Sequence, residues 1–294
     1  MTRKDDKASL IFAALAILAW STVSSAFKLA LIDLSPLGLL LISSVVATLF
    51  LFAYNLCARK KLFEEFRQNT RSSLAAGLLN PFLYYLVLFS AYDRLPAQEA
   101  QALNYTWAIV LFIFSVIFFK ERFRAKDLLA LLISFLGILV ISSRGKLTSF
   151  RFDDIGGISL ALGSSFIWAG YWILNMKDKR DAGIKLFYNF MIGTSLIVLY
   201  ALISGKALFS TGVIAFGTIA AIWVGIFEMG LTFLFWQKAL EYSTNTARIS
   251  NLVFITPFLS LVFIRIVLNE AILPSTLIGL FLIVFSNLIQ RRKD

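Results

Sequence analysis

Residues 95–121 read LPAQEAQALNYTWAIVLFIFSVIFFKE, a polar helix start followed by an almost unbroken apolar run. Pro96 suits the first turn of a helix, where its missing N–H costs no hydrogen bond. The block over residues 97–119 is long enough to cross the bilayer core, which is about 30 Å thick and takes about 20 helical residues. This stretch predicts a membrane-spanning helix.

The composition of the whole chain favours many such helices. Of its 294 residues, 59% are hydrophobic and 15% are charged, and the mean hydropathy is +0.81. Soluble proteins average about 45–50% apolar and about 25% charged residues. These values exclude a soluble globular domain and a disordered chain. A disulfide-rich scaffold is excluded because Cys57 is the single cysteine.

Ten apolar blocks of helix length follow one another with short connections. They cover residues 8–32, 36–57, 72–92, 97–119, 127–143, 155–176, 184–204, 212–236, 246–268 and 274–290. Pro81 and Pro257 lie inside blocks, so we expect kinks or broken backbone there. The predicted fold class is an all-α integral membrane protein with ten transmembrane helices.

Lysine and arginine positions predict the orientation. Of the 28 such residues, 21 fall on the side that holds both termini, 5 on the opposite side and 2 within blocks. Cytoplasmic segments carry the excess of positive charge, so we expect both termini in the cytoplasm and the chain in the inner membrane. The net charge of +11 is then mostly topological, and nucleic acid is not an expected partner.

An internal repeat appears at an offset of 148 to 149 residues. Each match is weak alone, but together the matches predict a duplication into residues 1–150 and 151–294. Because five is an odd number of spans, the second five-helix repeat would be inverted relative to the first, a plan common in secondary transporters. The matched pairs include Trp20 with Trp168, Gly77 with Gly225, Asn80 with Glu228, Asp93 with Glu241, and Glu121 with Glu270.

This arrangement resembles the drug/metabolite transporter superfamily, EamA type, with a closer similarity to the YddG-like aromatic amino-acid exporters. The segment at 95–121 carries that similarity, with Asn104, Tyr105 and Trp107 as its core. The resemblance covers nearly the whole chain and implies export of aromatic and other amphipathic amino acids or related metabolites. Family members often have proline where this chain has Ala108, so we expect a milder kink in the first half.

Polar and aromatic side chains that share helix faces are the candidate substrate-binding residues. A cavity with aromatic walls and a few amides would suit a flat apolar ring with a zwitterionic end. Trp223 and Trp236 are interpreted instead as packing or membrane-belt residues. The predicted set is Trp20, Asn80, Tyr84, Asn104, Tyr105, Trp107, Trp168, Trp172 and Glu228.

Charged residues inside or at the ends of the blocks have two interpretations. Glu228 lies well inside a block, where an ionised carboxylate costs about 2.5–3.5 kcal/mol. It either binds a substrate amine or a coupling proton, or makes a structural hydrogen bond. Lys28 lies near a block end, where snorkelling to the interface is the simpler interpretation. Glu121 and Glu270 sit at block ends and predict helix closure or loop contacts.

Other function classes find little support. The chain has no histidine, no HExxH motif and no paired intramembrane aspartates, so no catalytic residue, metal or cofactor is expected. It has no GxxxxGK loop for ATP. Alternatives are a carrier of the same fold for a nucleotide-linked metabolite, which should need several intramembrane cations, and a channel. The expected partners are a small-molecule substrate and the lipid bilayer, with a monomer as the simplest assembly.

Overall fold

The computed structural model describes residues 4–58, 62, 70–119, 125–142, 154–210, 215–245, 249 and 252–291. Within these ranges the β structure is limited to an isolated antiparallel bridge between Leu34 and Phe209. The predicted all-helical class is therefore confirmed. The helices are α1 (Asp6–Asp33), α2 (Pro36–Cys57), α3 (Thr70–Arg94), α4 (Ala97–Asn104), α5 (Trp107–Phe119), α6 (Ala125–Ser142), α7 (Ile155–Lys177), α8 (Ala182–Ser204), α9 (215–242), α10 (Thr256–Val267) and α11 (Pro274–Arg291).

Seven helical segments are long and apolar enough to cross a membrane, with α4 and α5 forming one of them. The other six are α1, α2, α3, α7, α8 and α9. Three shorter apolar helices cover Leu128–Ile141, Val253–Val267 and Pro274–Ser286. Apolar helices thus lie in all ten predicted blocks, and a multi-pass membrane protein is supported. The count of ten crossings, the inverted repeat and the side of the termini stay predictions.

Carboxylate caps fix several helix starts. The Asp5 side chain accepts hydrogen bonds of 3.0 Å from the backbone N–H groups of Lys7 and Ala8 at the start of α1. Asp181 accepts from the N–H of Gly183 at 2.8 Å at the start of α8. The first N–H groups of a helix have no partner inside it, so each cap supplies an acceptor where one is missing.

Helices from the two halves of the chain pack closely against each other. α3 lies on α8 at Gly77, where an added Cβ would be 2.7 Å from the carbonyl oxygen of Asn189. α9 lies on α2 at Gly225, where an added Cβ would be 2.6 Å from the carbonyl oxygen of Ser43. Glycine is needed at both crossings because a side chain would collide with backbone atoms. Helices of the two halves are therefore in direct backbone contact at these two crossings.

Two helices widen into π-type turns at corresponding positions. α3 widens over Leu78–Leu83, where Asn80 has non-helical dihedral angles (φ −143°, ψ 118°) just before Pro81. The break predicted at this proline is confirmed. α9 widens over Val224–Leu231, the turn that contains Glu228. The residues matched by the 148-residue offset, Asn80 and Glu228, both lie in such turns.

The fourth segment is broken between α4 and α5. Thr106 directs both its backbone N–H (3.2 Å) and its hydroxyl (2.8 Å) to the carbonyl oxygen of Leu103, which closes α4 with a tight turn. The helix is thus interrupted although position 108 is alanine, and a kink milder than in the proline-containing family members stays a prediction. In the second half, we expected a kink or broken backbone at Pro257. A 3-10 turn at Val253–Ile255 precedes α10, and Pro257 lies in the first turn of that helix.

Candidate functional site

Side chains from both halves of the chain enclose a central cavity of about 380 Å³. This volume lies in the range of about 300–1,000 Å³ that is usual for small-molecule sites. Seven helices or their flanking residues contribute to the wall. The described lining residues are Trp20, Val23, Ser24, Phe27, Tyr84, Leu88, Tyr92, Gln101, Asn104, Tyr105, Trp107, Leu111, Trp168, Trp172, Glu228, Phe233, Trp236, Leu240, Val253 and Thr256.

Aromatic rings form a connected surface around the cavity, with Trp168 of α7 at its centre. The Trp168 ring stacks on Tyr84 with 4.6 Å between centroids and meets Trp172 edge-on at 6.0 Å. Phe233 of α9 lies 5.9 Å from Trp168 and 5.9 Å from Trp20 of α1. Ring pairs at such separations contribute about 0.5–1.5 kcal/mol beyond their buried area. The aromatic wall thus joins α1, α3, α7 and α9.

Asn104 ends α4 at the edge of this wall, and its amide is held in one orientation. Its Nδ2 donates to Ser164 Oγ on α7 at 2.8 Å. Its Oδ1 accepts a long hydrogen bond of 3.4 Å from the Tyr84 hydroxyl. Because the helix stops at this residue, the amide and the neighbouring Tyr105 reach the cavity from the break between α4 and α5.

Glu228 brings a carboxylate to the cavity from the wide turn of α9. Its side chain is 9% exposed, and its Oε1 accepts a hydrogen bond of 3.0 Å from the Tyr85 hydroxyl. The Trp20 indole lies within reach of the same carboxyl group. Among the described lining residues Glu228 is the single acidic side chain, and no lysine or arginine accompanies it. The described wall therefore has a net negative charge when this carboxyl is ionised.

Three other polar atoms of the wall are buried without a hydrogen-bond partner in the protein. They are Oε1 of Gln101, Oγ1 of Thr256 and Nε1 of Trp172. Two of these atoms can accept a hydrogen bond and one can only donate. Within the described ranges no group of three His, Cys, Asp or Glu side chains could hold a metal ion. Hydrogen bonds and one carboxylate are thus the polar chemistry that the described wall offers.

Eight of the nine predicted substrate-binding residues line this cavity, and Asn80 does not. Asn80 is fully buried in a separate cluster, where its amide faces Tyr171 without a hydrogen bond of ordinary geometry. A regular helix would have put Asn80 on the same face as Tyr84, but its non-helical dihedral angles turn the side chain elsewhere. Contact with substrate stays a prediction for the other eight residues.

Several lining residues were missing from the predicted set. Trp236, interpreted from the sequence as a packing residue, lines the cavity. Tyr92 also lines it, and the helical period could have found it because it follows Tyr84 by eight residues on α3. Thr256 could have been found from the repeat, since it follows Trp107 by 149 residues.

Lys28 lies one helical turn beyond the lining residue Ser24 and binds the end of α3. Its Nζ donates to the carbonyl oxygens of Tyr92 at 2.7 Å and Leu95 at 3.1 Å, near the end of α3. The last carbonyls of a helix have no partner inside it and favour a cation. Just beneath, Ser24 Oγ and the Tyr92 hydroxyl are 2.8 Å apart. Lys28 therefore binds the end of α3, and its position relative to the membrane interface stays a prediction.

Gln98 ties the start of α4 to the segment before α11. Its Nε2 donates to the carbonyl oxygen of Ala271 at 2.9 Å. Its Oε1 accepts from the N–H of Leu273 at 3.0 Å and from Thr276 Oγ1 at 2.9 Å. Glu270 Oε1 accepts from a backbone N–H in the same layer, so its predicted loop contact is confirmed. Its repeat partner, Glu121, lies outside the described residues.

Known proteins resemble this chain over most of its length. An uncharacterized transporter of Archaeoglobus fulgidus is 26% identical over 262 residues, which cover 87% of this chain and 88% of the relative. The uncharacterized transporter YvbV of Bacillus subtilis is 27% identical over 218 residues, which cover 72% of this chain and 69% of that protein. A solved crystal structure, 20% identical, covers 99% of this chain and 97% of the other with a TM-score of 0.67, and therefore supports the fold alone.

One relative has a substrate in its name. The aromatic amino acid exporter YddG of Ancylobacter novellus is 23% identical over 168 residues, which cover 56% of this chain and 57% of that protein. The model of the EamA-like transporter family matches residues 7–143 and again residues 155–290. These two matches together cover most of the protein. The chain belongs to the EamA-like transporter family.

Proposed function

We propose that this protein is a secondary transporter that exports aromatic and other amphipathic amino acids or related small metabolites by alternating access. The connected aromatic wall around Trp168 is the observation that carries the proposal. A planar ring would gain apolar burial and ring contacts on this wall. The Asn104 amide and nearby hydroxyls would bind the polar end of the cargo. Such neutral groups hold a zwitterion without the strong ionic attraction that would slow its release.

The named relative supports both the direction and the cargo. The similarity to a protein called an aromatic amino acid exporter covers just over half of this chain. The rings of Tyr105 and Trp107 lie in the cavity that this cargo would enter. We assign the protein to the inner membrane, which export from the cytoplasm would require and which the distribution of positive charge favours.

Alternating access needs two bodies that rock about a shared site, and we assign these to residues 1–150 and 151–294 as inverted five-helix repeats. The separate family matches to residues 7–143 and 155–290 support this division. The wide turns at Asn80 and Glu228, 148 residues apart, support it independently. The cavity lies between helices of both halves, where a rocking motion would expose it to each side in turn.

The single cysteine can test the proposed orientation. Cys57 is exposed at the end of α2, which we assign to the cytoplasm. A membrane-impermeant maleimide should leave Cys57 unlabelled in intact cells and label it after permeabilisation. In a Cys57→Ser background, Ser210→Cys in the exposed segment after α8 should label in intact cells. Labelling of Cys57 from outside would overturn the orientation.

A transport assay with purified protein in liposomes tests the cargo. The panel is labelled Phe, Trp, Tyr, Met and Thr, with a nucleotide sugar as the alternative cargo, each with and without a proton gradient. We expect saturable uptake of the aromatic amino acids and competition among them. No movement of any amino acid would contradict the cargo. Uptake that neither saturates nor shows competition would indicate a channel.

Variants of the fourth segment test the place of the site. Trp107→Ala removes a ring from the cavity and Tyr105→Phe removes a hydroxyl, so both should reduce transport while the protein stays folded. The matched control is Trp223→Ala, because Trp223 is 41% exposed, stacks on Phe227 at 4.0 Å and is absent from the cavity wall. If both variants transport like the control, the site lies elsewhere.

A further inference from the structure

The carboxylate of Glu228 gives the cavity a negative charge, which a zwitterionic cargo with no net charge does not neutralise. Glu228 lines the aromatic cavity and is held there by the Tyr85 hydroxyl. An ionised group inside a membrane protein needs a counter-charge, a proton or water to be stable. Two neutral donors lie near it, Trp20 in the wall and Tyr85 buried behind the wall, and the described wall holds no cation. A cationic ligand would complete this site.

The two corresponding wide turns differ in what they present to the cavity. In the first half the turn carries Asn80, whose amide is buried among other side chains away from the wall. In the second half the corresponding turn carries Glu228, which reaches the wall. The cavity is therefore electrostatically one-sided, with its acidic group on α9.

Two of the three other partnerless wall atoms favour a ligand rich in donors, while the third, Trp172 Nε1, is itself a donor. Gln101 Oε1 and Thr256 Oγ1 are buried wall atoms without a protein partner. An ammonium group carries three N–H donors and no acceptor, which matches a cavity wall that offers a carboxylate and two further acceptors. The faces of Trp and Tyr rings also attract cations, and the wall contains Trp20 and Trp168.

A carboxylate on the cargo, in contrast to an ammonium group, would find no charged partner in the described wall. Along α1, Lys28 is the basic residue nearest to the described wall. Its Nζ already donates hydrogen bonds to two carbonyl oxygens at the end of α3. A zwitterionic amino acid would place its carboxylate in a wall whose described residues offer no positive charge. An amine without a carboxylate needs no cationic partner in the wall, and Glu228 does not repel it.

We propose that the cavity prefers aromatic amines with a net positive charge, of the arylalkylamine class, over zwitterionic aromatic amino acids, and that Glu228 pairs with the ammonium group. This inference rests on the proposed function, because it assumes that the cavity is the transport site. It assigns the substrate class of that site and the residue that determines it.

A series of ligands with one ring and different charges tests the preference on the unmodified protein. Tryptamine, tryptophan and indole-3-propionate share the indole ring and carry net charges of about +1, 0 and −1 at neutral pH. We expect tryptamine to inhibit labelled tryptophan transport at a concentration at least about tenfold lower than unlabelled tryptophan does, with the acid weakest. Equal inhibition by all three, or stronger inhibition by tryptophan, would overturn the proposal.

Glu228→Gln tests whether this residue determines the preference. It keeps the shape and a hydrogen-bonding group for Tyr85 while removing the charge. We expect tryptamine to lose at least about tenfold in inhibition and tryptophan to change much less. The control Glu241→Gln alters an exposed carboxylate outside the cavity wall and should leave the order intact. A Glu228→Gln protein that keeps the full preference for tryptamine would exclude Glu228 from that role.

The outcomes separate this inference from the proposed function. If tryptophan is transported but tryptamine neither inhibits nor moves, the charge preference is wrong and the aromatic transporter stands. If no indole compound is transported or bound, both proposals are wrong. Because the ligand series uses the unmodified protein, a variant that fails to fold does not remove the test.

Discussion

The Tyr85 hydroxyl donates a 3.0 Å hydrogen bond to Oε1 of Glu228 and so joins α3 to the wide turn of α9. Tyr85 is fully buried, so this contact has no competing bulk water on the tyrosine side. Hydrogen bonds to charged groups contribute about 1.5–3 kcal/mol, roughly twice as much as neutral ones. The pair therefore fixes the cavity carboxylate to both halves of the chain.

Tyr85→Phe should lower the stability of the protein, mainly because Glu228 loses a hydrogen-bond donor. We expect the melting temperature in detergent to fall for Tyr85→Phe, and the further loss on adding Glu228→Gln to be smaller than the loss that Glu228→Gln causes alone. A double-mutant cycle should give a coupling of about 1 kcal/mol or more. Tyr188→Phe, whose hydroxyl donates to a distant carbonyl oxygen, is the additive control. Additive losses for the Tyr85 pair would contradict the contact.

The glycine crossings predict large effects from one methyl group. Gly77→Ala and Gly225→Ala each place a Cβ within 2.7 Å of a backbone carbonyl oxygen, so the helices must move apart. We expect lower melting temperatures and less folded protein for both. Gly163→Ala is the matched control, because an added Cβ there meets nothing within 4 Å and gains up to about 1 kcal/mol of helix propensity. Three variants of equal stability would show that the helices do not cross at these glycines.

Gln98→Leu should loosen the contact between α4 and the segment before α11, and we expect this to ease access to the cavity. The substitution removes three hydrogen bonds and leaves the buried N–H of Leu273 without its acceptor. We expect faster labelling of Ser24→Cys by an impermeant maleimide, in a Cys57→Ser background. Gln237→Leu, at an exposed position of α9, should not change the rate. An unchanged rate for Gln98→Leu would mean that this layer does not control access.

A surface ion pair predicts a pH dependence of stability. Arg94 binds Asp154 through two hydrogen bonds of 2.9 and 3.0 Å, and Asp154 also caps α7 through Gly157. The Arg94 guanidinium and, second, the Gly157 N–H hold the pKa of Asp154 below its usual range. The stabilisation is therefore complete above the ordinary carboxyl pKa and is lost as the pH falls through the lowered value.

Asp154→Asn keeps the cap but removes the charge. Its melting temperature should lie below that of the unmodified protein at about pH 7 and converge with it in acid, below about pH 4. Because both side chains are partly exposed, the difference should be small and should shrink with added salt. A difference that grows as the pH falls would contradict the depressed pKa.

The helices and eight residues of the cavity wall could be predicted from the sequence because both depend on local periodicity. Long apolar blocks specify membrane helices in any tertiary arrangement. Residues three, four or eight positions apart on one helix share a face, which brought Trp168 and Trp172 to the same cavity. The break at Pro81 followed from the proline itself, whereas the wide turn at Glu228 was not predicted.

The remaining features depend on departures from the regular helix and on partners far along the chain. Asn80 leaves its expected face because its own dihedral angles are non-helical. The break before Trp107 arises from Thr106, a residue type that is ordinary in helices. The Gln98 contacts involve residues more than 170 positions away, and no local pattern encodes them.

The most direct test is transport of labelled tryptophan by liposomes that contain the Trp168→Ala protein, beside Trp223→Ala and the unmodified protein. Trp168 contacts four other rings of the aromatic cluster, whereas Trp223 lies on the outside. If the aromatic cavity is the transport site, folded Trp168→Ala should lose saturable tryptophan exchange at least about tenfold, and Trp223→Ala should retain it. Equal exchange by the two variants would contradict the assignment of this cavity as the substrate site.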